Sequence, residues 1–336
     1  MAFWLDIADF ALKALLIVIA IGAVALIVAL TARGEREESS EIEVKSLDER
    51  YDADEAQLRR AVLDKKERKA FLKSLKARKK EAKPDKRLYV LRFKGDITAS
   101  SVGRLGREID TVLSVARPGL DEVVTRLDSP GGTVTGYGLA AAELRRFVSA
   151  KIPLTVCVDQ VAASGGYMMA CVADRILAAP FALVGSIGVV AQVPNVNRLL
   201  KKNNIDFEEI TAGEFKRTVS VFGEITDAGR EHFRAKLDST HDAFKRFVLA
   251  SRPKVDIEKL GNGDVWLASE AVALGLVDEL STADDYLFRA RQNARLYEVT
   301  MHARQGRLRQ WLVGAGASLG EAARAAIARF GASSIG

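Results

Sequence analysis

The chain has 336 residues, of which 48% are apolar and 28% are charged, with 26 Gly and 7 Pro. This composition excludes a disordered polymer, a collagen-like repeat and a coiled-coil rod. Two Cys and three His are too few for a disulfide scaffold, and their scatter argues against a zinc site. The net charge of +6 is concentrated in residues 58–87, where 14 Lys and Arg stand against 4 Asp and Glu, so the rest of the chain is mildly acidic.

The N-terminal segment, residues 1–34, contains an uncharged apolar run of 19 residues at 14–32. A helix of that length would extend about 28 Å, close to the hydrocarbon core of a bilayer at about 30 Å. The leader before it carries Asp6 and Asp9, which is atypical of a cleaved signal peptide. The pattern therefore predicts an uncleaved anchor in contact with membrane lipid. Flanking charge favours a cytoplasmic position for the following domain, but the length of that domain weakens this rule, so both orientations stand.

Residues 35–87 form a charged segment rich in Lys, Arg, Glu, Asp and Ala, with Pro84 as its single proline. An incomplete apolar stripe predicts one or two exposed helices there, formed by Leu58, Val62, Phe71, Leu72 and Leu75. Such a stalk is either a solvated connector or a basic helix against anionic lipid headgroups. Nucleic-acid binding is not predicted, because no stacking aromatic residues are interleaved with the charges.

From residue 88 onward, predicted strands and helices alternate. Strands are predicted at 88–93, 122–127, 154–159, 176–179 and 188–192, and helices at 102–115, 137–149 and 162–172. A longer helix is predicted at 226–250, with Thr226 as its cap. Strands that alternate with helices indicate an α/β fold with a parallel sheet and crossover helices.

Three clusters of small residues follow predicted strands: SPGG at 129–132, ASGG at 163–166 and GSIG at 185–188. Open α/β sheets bind ligands at strand ends, although glycine pairs there are also ordinary turn residues. Ser164 is the best candidate for a nucleophile, because it precedes a predicted helix whose N-terminal N–H groups favour developing negative charge. The alternative is that Ser164 is only the N-cap of that helix.

A nucleophilic serine needs a base. Of the three histidines, His232 and His241 lie in the long predicted helix and His302 lies in a basic tail, and we interpret all three as surface residues. A lysine can replace histidine where burial and neighbouring cations keep its amine uncharged. Lys216 is the candidate, because it lies in an apolar stretch away from the charged runs and is followed by Arg217.

Six motifs resemble the signal peptide peptidase A family in their order and spacing. They are LDSPGG (127–132), ASGGY (163–167), ADRILA (173–178), VGSIGV (184–189), GEFKR (213–217) and AVALGLVD (271–278). Members of this family are membrane-anchored serine proteases that use a Ser/Lys dyad on a ClpP/crotonase-like fold. A single catalytic unit behind one span and a charged stalk is similar to the shorter SohB-type bacterial inner-membrane peptidases.

The resemblance implies a role for individual residues. Ser164 would be the nucleophile and Lys216 the general base, Gly131 and Gly132 would lie at the turn that offers N–H groups to the oxyanion, and Ser186 would orient the Lys216 amine. No cofactor or metal is implied. The family also implies that the serine and lysine of one site can come from neighbouring copies, so a homo-oligomer is expected. The 51 residues between Ser164 and Lys216 allow a dyad within one chain or between chains.

These observations predict four regions: an anchor at 1–34, a stalk at 35–87, a catalytic domain at 88–285 and a basic amphipathic tail at 286–336. The predicted function is a membrane-anchored serine endopeptidase of the bacterial inner membrane that cleaves signal-peptide remnants or other membrane-associated polypeptides. Family analogy places its catalytic domain in the periplasm. Two alternatives are an inactive membrane scaffold, disfavoured because both dyad residues are present, and a crotonase-like acyl-CoA enzyme, disfavoured by the anchor.

Overall fold

The computed structural model describes residues 40–78, 84–213 and 215–303. The predicted anchor at 1–34 and the predicted tail beyond residue 303 lie outside these residues. Among the described residues, no helix combines the length and the apolar character needed to cross a membrane. The fold described below is that of the unit Glu43–Thr300; residues 40–42 and 301–303 belong to a second unit and are the outer ends of two strands.

Ten strands form in the described residues. They are β1 Ser40–Ser46, β2 Arg87–Lys94, β3 Glu122–Asp128, β4 Leu154–Val158, β5 Val161–Ala163, β6 Arg175–Ala178, β7 Leu183–Gly185, β8 Val265–Leu267, β9 Glu279–Leu280 and β10 Arg295–Ala303. Seven build the central sheet in the order β1-β10-β2-β3-β4-β6-β9, and all neighbours from β10 to β9 run parallel. In the smaller sheet, β7 lies between a parallel β5 and an antiparallel β8.

Ten helices accompany the strands in the same residues. They are α1 Leu47–Val62, α2 Lys65–Arg78, α3 Val102–Leu113, α4 Val134–Ser149, α5 Gly165–Ala170, α6 Asn197–Lys202, α7 Asp227–Ser251, α8 Ile257–Leu260, α9 Ala268–Ala271 and α10 Ala283–Ala290. The predicted α/β fold with a parallel sheet is confirmed. Two local predictions are wrong. The segment 162–172 is divided into β5 and α5, because its first residues pair with β7, and 188–192 follows a short β7 without forming a strand.

The central sheet is buried on both faces, which explains its nearly continuous apolar sequences. In β2, Tyr89, Leu91 and Phe93 join a large core that also holds the buried side chains of α3 and α4. Leu88 and Val90 point to the opposite face and join a smaller core with residues of α1 and α10. Successive side chains of a strand alternate between faces, so one short run supplies both cores.

The sheet extends beyond the predicted catalytic region 88–285 at both ends. The strand β10, from the predicted tail, pairs in parallel with β2 through partners such as Leu296 and Leu88. From the predicted stalk, β1 joins the sheet and Leu47 at the start of α1 is 3% exposed. The carboxylate of Asp48 accepts a hydrogen bond from the Leu296 N–H at 2.9 Å. These long-range contacts bring both charged segments onto the domain.

Asp121 joins the start of β3 to the start of β2. Its carboxylate, in a residue only 1% exposed, accepts hydrogen bonds from Arg87 N at 2.9 Å and from Arg117 Nη2 at 2.7 Å. Burial by itself would raise the pKa of Asp121, but the hydrogen bonds from Arg117 and Arg87 outweigh it and hold the pKa below its usual value. The carboxylate therefore stabilises the fold above the usual Asp pKa of about 3.9, and this stability is lost as the pH falls through the lower, folded pKa.

We expect Asp121→Asn to lower the free energy of unfolding at pH 7 by about 2–3 kcal/mol, because the charge-assisted hydrogen bonds from Arg117 and Arg87 to a buried carboxylate are lost. Asp85→Asn is the matched control, since Asp85 also pairs with Arg117, at 2.9 Å, but its side chain is 72% exposed. That change should cost less than about 1 kcal/mol. Urea unfolding of both variants at pH 7 provides the measurement, and equal losses would contradict this interpretation.

Candidate active site

Ser164 lies at a sharp backbone turn between β5 and α5. Its φ is +52° and its ψ is −118°, a conformation that a residue other than glycine adopts only when its surroundings enforce it. The Ser164 N–H donates to Gly185 O at 2.8 Å, and the Ser164 carbonyl accepts from Met168 N at 2.9 Å. The side chain makes no capping hydrogen bond to α5, so the N-cap alternative does not describe its hydroxyl. The hydroxyl of this half-buried residue is therefore available for chemistry.

The Gly131-Gly132 turn touches Ser164. Gly131 has a φ of +92°, and a Cβ placed on it would lie 2.8 Å from Ser164 Cβ and 2.7 Å from Gly165 N. Only glycine allows this approach of one backbone to another. A Cβ on Gly132 would overlap Ile97 O. The structure thus brings the predicted oxyanion turn against the predicted nucleophile.

Two backbone N–H groups at this contact have no acceptor among the residues that the structure describes, those of Gly132 and Gly165. Gly165 opens α5, and the first N–H groups of a helix have no intrahelical partner. Gly131 differs, because its N–H donates to Ser129 Oγ at 3.1 Å. Of the two glycines predicted to offer donors, Gly132 has a free N–H and Gly131 does not, while Gly165 is a free donor that the sequence did not single out for this role.

Ser186 is adjacent to Ser164 across the small sheet. Ala163 of β5 and Gly185 of β7 are partners in parallel strands, so the residues that follow them leave the sheet side by side. Ser186 also has a positive φ, +52°, and its hydroxyl donates to Gly263 O at 3.3 Å. In the described residues, no hydrogen bond joins Ser186 to Lys216.

Lys216 lies in the segment between α6 and α7, and it is exposed. It lines a groove of about 560 Å³ with aromatic and aliphatic residues that include Phe207, Phe222 and Val193. Neighbouring Arg217 lies 3.5 Å from a carboxylate oxygen of Glu209. Neither Ser164 nor Ser186 lines this groove, and no hydrogen bond within the described chain joins Lys216 to either serine.

Two histidines of α7, interpreted from the sequence as surface residues, are partly buried and pack against the segments that carry these residues. The ring of His232 stacks on Phe215, with centroids 3.9 Å apart and planes at 8°, next to Lys216. The Nε2 atom of His241 lies 3.0 Å from the carbonyl oxygen of Ile187, the residue after Ser186. His241 shares a helix face with buried Phe244 and Val248, at i+3 and i+7, and this spacing is the signal that could have placed it inward.

The two cysteines are not candidates for the nucleophile. Cys157 lies in β4 and Cys171 follows α5, and both are free and buried. Burial raises the pKa of each thiol to about 12, so the reactive thiolate is suppressed near neutral pH.

Comparison with known proteins decides the family. The profile of peptidase family S49 matches residues 146–297, and that of the peptidase family S49 N-terminal region matches residues 2–144. A probable protease SohB of Haemophilus influenzae is 43% identical over 318 residues, covering 90% of this chain and 90% of that protein. The chain belongs to peptidase family S49. This confirms the resemblance to the signal peptide peptidase A family and to its SohB type, and it identifies the chain as a protease.

Other S49 relatives match shorter parts of the chain. A probable protease SohB of Buchnera aphidicola subsp. Schizaphis graminum is 52% identical over 202 residues, covering 60% of this chain and 59% of that protein. Protease 4 of Haemophilus influenzae is 28% identical over 190 residues, covering 54% of this chain and 31% of that protein.

The candidate active site contains residues from both S49 matches. The Gly131-Gly132 turn falls in the N-terminal match at 2–144, whereas Ser164, Ser186 and Lys216 fall in the match at 146–297. The contact between Gly131 and Ser164 therefore joins the two matched parts of this S49 chain.

Proposed function

We propose that this S49 protease is a serine endopeptidase in which Ser164 is the nucleophile and Lys216 the general base. The observation that carries the proposal is the position of the Ser164 hydroxyl, which is uncapped, held on a strained turn and adjacent to two N–H groups that have no acceptor in the described residues. Backbone strain of this kind concentrates at functional sites.

The proposed reaction follows from these groups. The uncharged amine of Lys216 removes the proton from Ser164 Oγ, and Oγ attacks the peptide carbonyl carbon. The resulting oxyanion accepts hydrogen bonds from the N–H groups of Gly132 and Gly165. Lys216 then gives its proton to the leaving amine, and a water molecule deprotonated by Lys216 hydrolyses the acyl-enzyme.

We assign the oxyanion donors to Gly132 and Gly165 rather than to Gly131 and Gly132. The N–H of Gly131 is directed to Ser129 Oγ, whereas those of Gly132 and Gly165 have no acceptor among the described residues. Loss of one such donor typically costs about 10²–10³ in rate. Gly131 contributes instead by allowing the turn to touch Ser164.

We propose further that a second copy of the chain completes each site. Lys216 is exposed and is not hydrogen-bonded to Ser164 in one chain, and the same segment carries exposed apolar residues, including Ile205, Phe207 and Ile210. A homo-oligomer that covers this surface would place Lys216 of one copy in the environment of Ser164 of the next. Ser186, beside Ser164, is then the residue proposed to orient the incoming amine.

The location and substrates remain part of the proposal. The apolar run 14–32 would anchor the chain in the bacterial inner membrane with the catalytic domain in the periplasm, and the substrates would be signal-peptide remnants or other membrane-associated polypeptides. These assignments rest on the sequence and on the SohB-type similarity. An endopeptidase is favoured over a scaffold or an acyl-CoA enzyme because the relatives are named as proteases.

The test is to purify the full chain in detergent micelles and to follow cleavage of casein and of a synthetic signal peptide. We expect cleavage of both that is unchanged by chelators. Turnover of acyl-CoA thioesters without peptide cleavage would favour the crotonase-like alternative, and inactivity in both assays would favour the scaffold. Either result would overturn the proposed function.

A further inference from the structure

A buried chain of hydrogen bonds runs beneath the Gly131-Gly132 turn. The Gly131 N–H donates to Ser129 Oγ at 3.1 Å, Ser129 Oγ lies 2.5 Å from Tyr137 Oη, and Tyr137 Oη donates to Asp96 O at 2.8 Å. Ser129 follows β3 and Tyr137 lies in the second turn of α4, and both residues are 0% exposed. The reaction proposed above uses neither hydroxyl.

The hydroxyl protons of Ser129 and Tyr137 can be arranged in only one direction along this series of hydrogen bonds. A carbonyl oxygen can only accept, so the single hydroxyl proton of Tyr137 goes to Asp96 O. The hydroxyl of Ser129 must then donate to Tyr137 Oη, which leaves an Oγ lone pair for the Gly131 N–H. Donors aligned head to tail in a dry interior polarise one another and hold their geometry more firmly than isolated bonds do.

Tyr137 contacts one half of the proposed oxyanion site directly and the other half through Ser129. A Cβ added to Gly165 would overlap the Tyr137 ring, so the ring lies directly against the residue that carries one free N–H. The Tyr137 hydroxyl supports, through Ser129, the turn that carries the other free N–H at Gly132. One side chain is therefore placed to set the separation of the two donors.

The surroundings of the two hydroxyls are closely packed. A Cβ on Gly95 would overlap both Ser129 Oγ and Tyr137 Oη, and Gly166 is packed equally closely against Ser129 O. The two hydroxyls also satisfy backbone groups, because Ser129 Oγ accepts from the Gly131 N–H and Tyr137 Oη donates to the Asp96 carbonyl, so their removal also costs stability. The same bonds tie the Gly131-Gly132 turn to α4 through Ser129 and Tyr137.

We propose that Tyr137 and Ser129 are positioning residues that hold the Gly131-Gly132 turn so that the Gly132 N–H is directed at the oxyanion. The proposal rests on the proposed function, since the two hydroxyls act only through the oxyanion that forms when Ser164 attacks. Complete loss of a donor costs about 10²–10³ in rate, and a misdirected donor costs less, so an effect of about 10- to 100-fold is expected.

The test is steady-state kinetics of Tyr137→Phe in the full chain with a fluorogenic peptide, together with the affinity of a peptide boronate that forms a tetrahedral adduct on serine. We expect kcat to fall about 10- to 100-fold with KM changed less than about twofold, because the oxyanion exists only after the attack. Boronate affinity should fall by the same factor as kcat/KM. If Tyr137 only stabilised the fold, its substitution would change neither kcat nor boronate affinity when both are expressed per folded molecule.

Two further variants make the test specific. The double variant Ser129→Ala/Tyr137→Phe should be no slower than the slower single variant, because both changes break one chain of bonds. Phe147→Leu, about three turns further along α4 in the same core, is the matched packing control and should keep the wild-type kcat. Unchanged kcat and boronate affinity in Tyr137→Phe, with an active wild-type chain, would overturn the positioning role alone. A wild-type chain that neither cleaves peptide nor binds the boronate would overturn the proposed function as well.

Discussion

Ser164→Ala is expected to lower kcat for peptide hydrolysis by about 10⁴- to 10⁶-fold, and Lys216→Ala by a similar factor. The nucleophile and its base act as a unit, so removal of either one abolishes the same step. The double variant should therefore be no slower than the single variants. Initial rates with a fluorogenic peptide, measured at equal concentrations of folded protein, provide the comparison.

The controls for these variants are residues of the same type outside the site. Ser114 lies at the end of α3, where its hydroxyl donates to Thr111 O, and Ser114→Ala should keep wild-type activity. Lys201 is paired with Glu224 at 2.6 Å in the same region as Lys216, and Lys201→Ala should also remain active. Substantial activity in Ser164→Ala would contradict the assignment of the nucleophile, and substantial activity in Lys216→Ala would contradict the assignment of the base.

Co-expression of Ser164→Ala with Lys216→Ala is expected to restore up to about one quarter of the wild-type activity, because random assembly of a symmetric ring brings an intact serine to an intact lysine at one contact in four. The expectation follows from the exposed position of Lys216 and the absence of any described hydrogen bond between it and Ser164 within one chain. The two variants would carry different tags, so that mixed oligomers can be isolated before the assay.

The matched control replaces the Lys216→Ala chain with the double variant Ser164→Ala/Lys216→Ala. That mixture contains no intact serine and should show no recovery, which separates complementation from residual activity. Failure of the first mixture to recover any activity, in oligomers shown to contain both tags, would mean that the dyad forms within each chain.

Much of the fold could be predicted because local pattern and topology agree in its centre. The apolar runs at 88–93 and 122–127 lie within β2 and β3, and the parallel order follows from the alternation with helices. The same reasoning brought the small-residue clusters to one edge of the sheet, where Gly131 does touch Ser164. Long-range pairing is different, because nothing in the local sequence indicates that Leu296 lies beside Leu88.

The details of the candidate site could not be read from the sequence. The positive φ of Ser164 is enforced by its hydrogen bonds to Gly185 and Met168, which depend on the folded chain, and local propensity instead favoured a continuous helix. The pairing of Gly131 N–H with Ser129 is likewise a product of packing, since Tyr137 reaches the turn from a different element. The partial burial of His241 could have been predicted, because its spacing to Phe244 places it near the inner face of α7.

The most direct test of the central claim is to map the adduct of a fluorophosphonate probe by peptide mass spectrometry on the full chain. The probe phosphonylates only an activated serine, with loss of fluoride, so we expect one adduct, on Ser164, and a rate of labelling that falls steeply in Lys216→Ala at the same pH. The neighbouring Ser129 and Ser186 should remain unmodified. An adduct on another serine, or equally fast labelling of Ser164 without Lys216, would contradict the account.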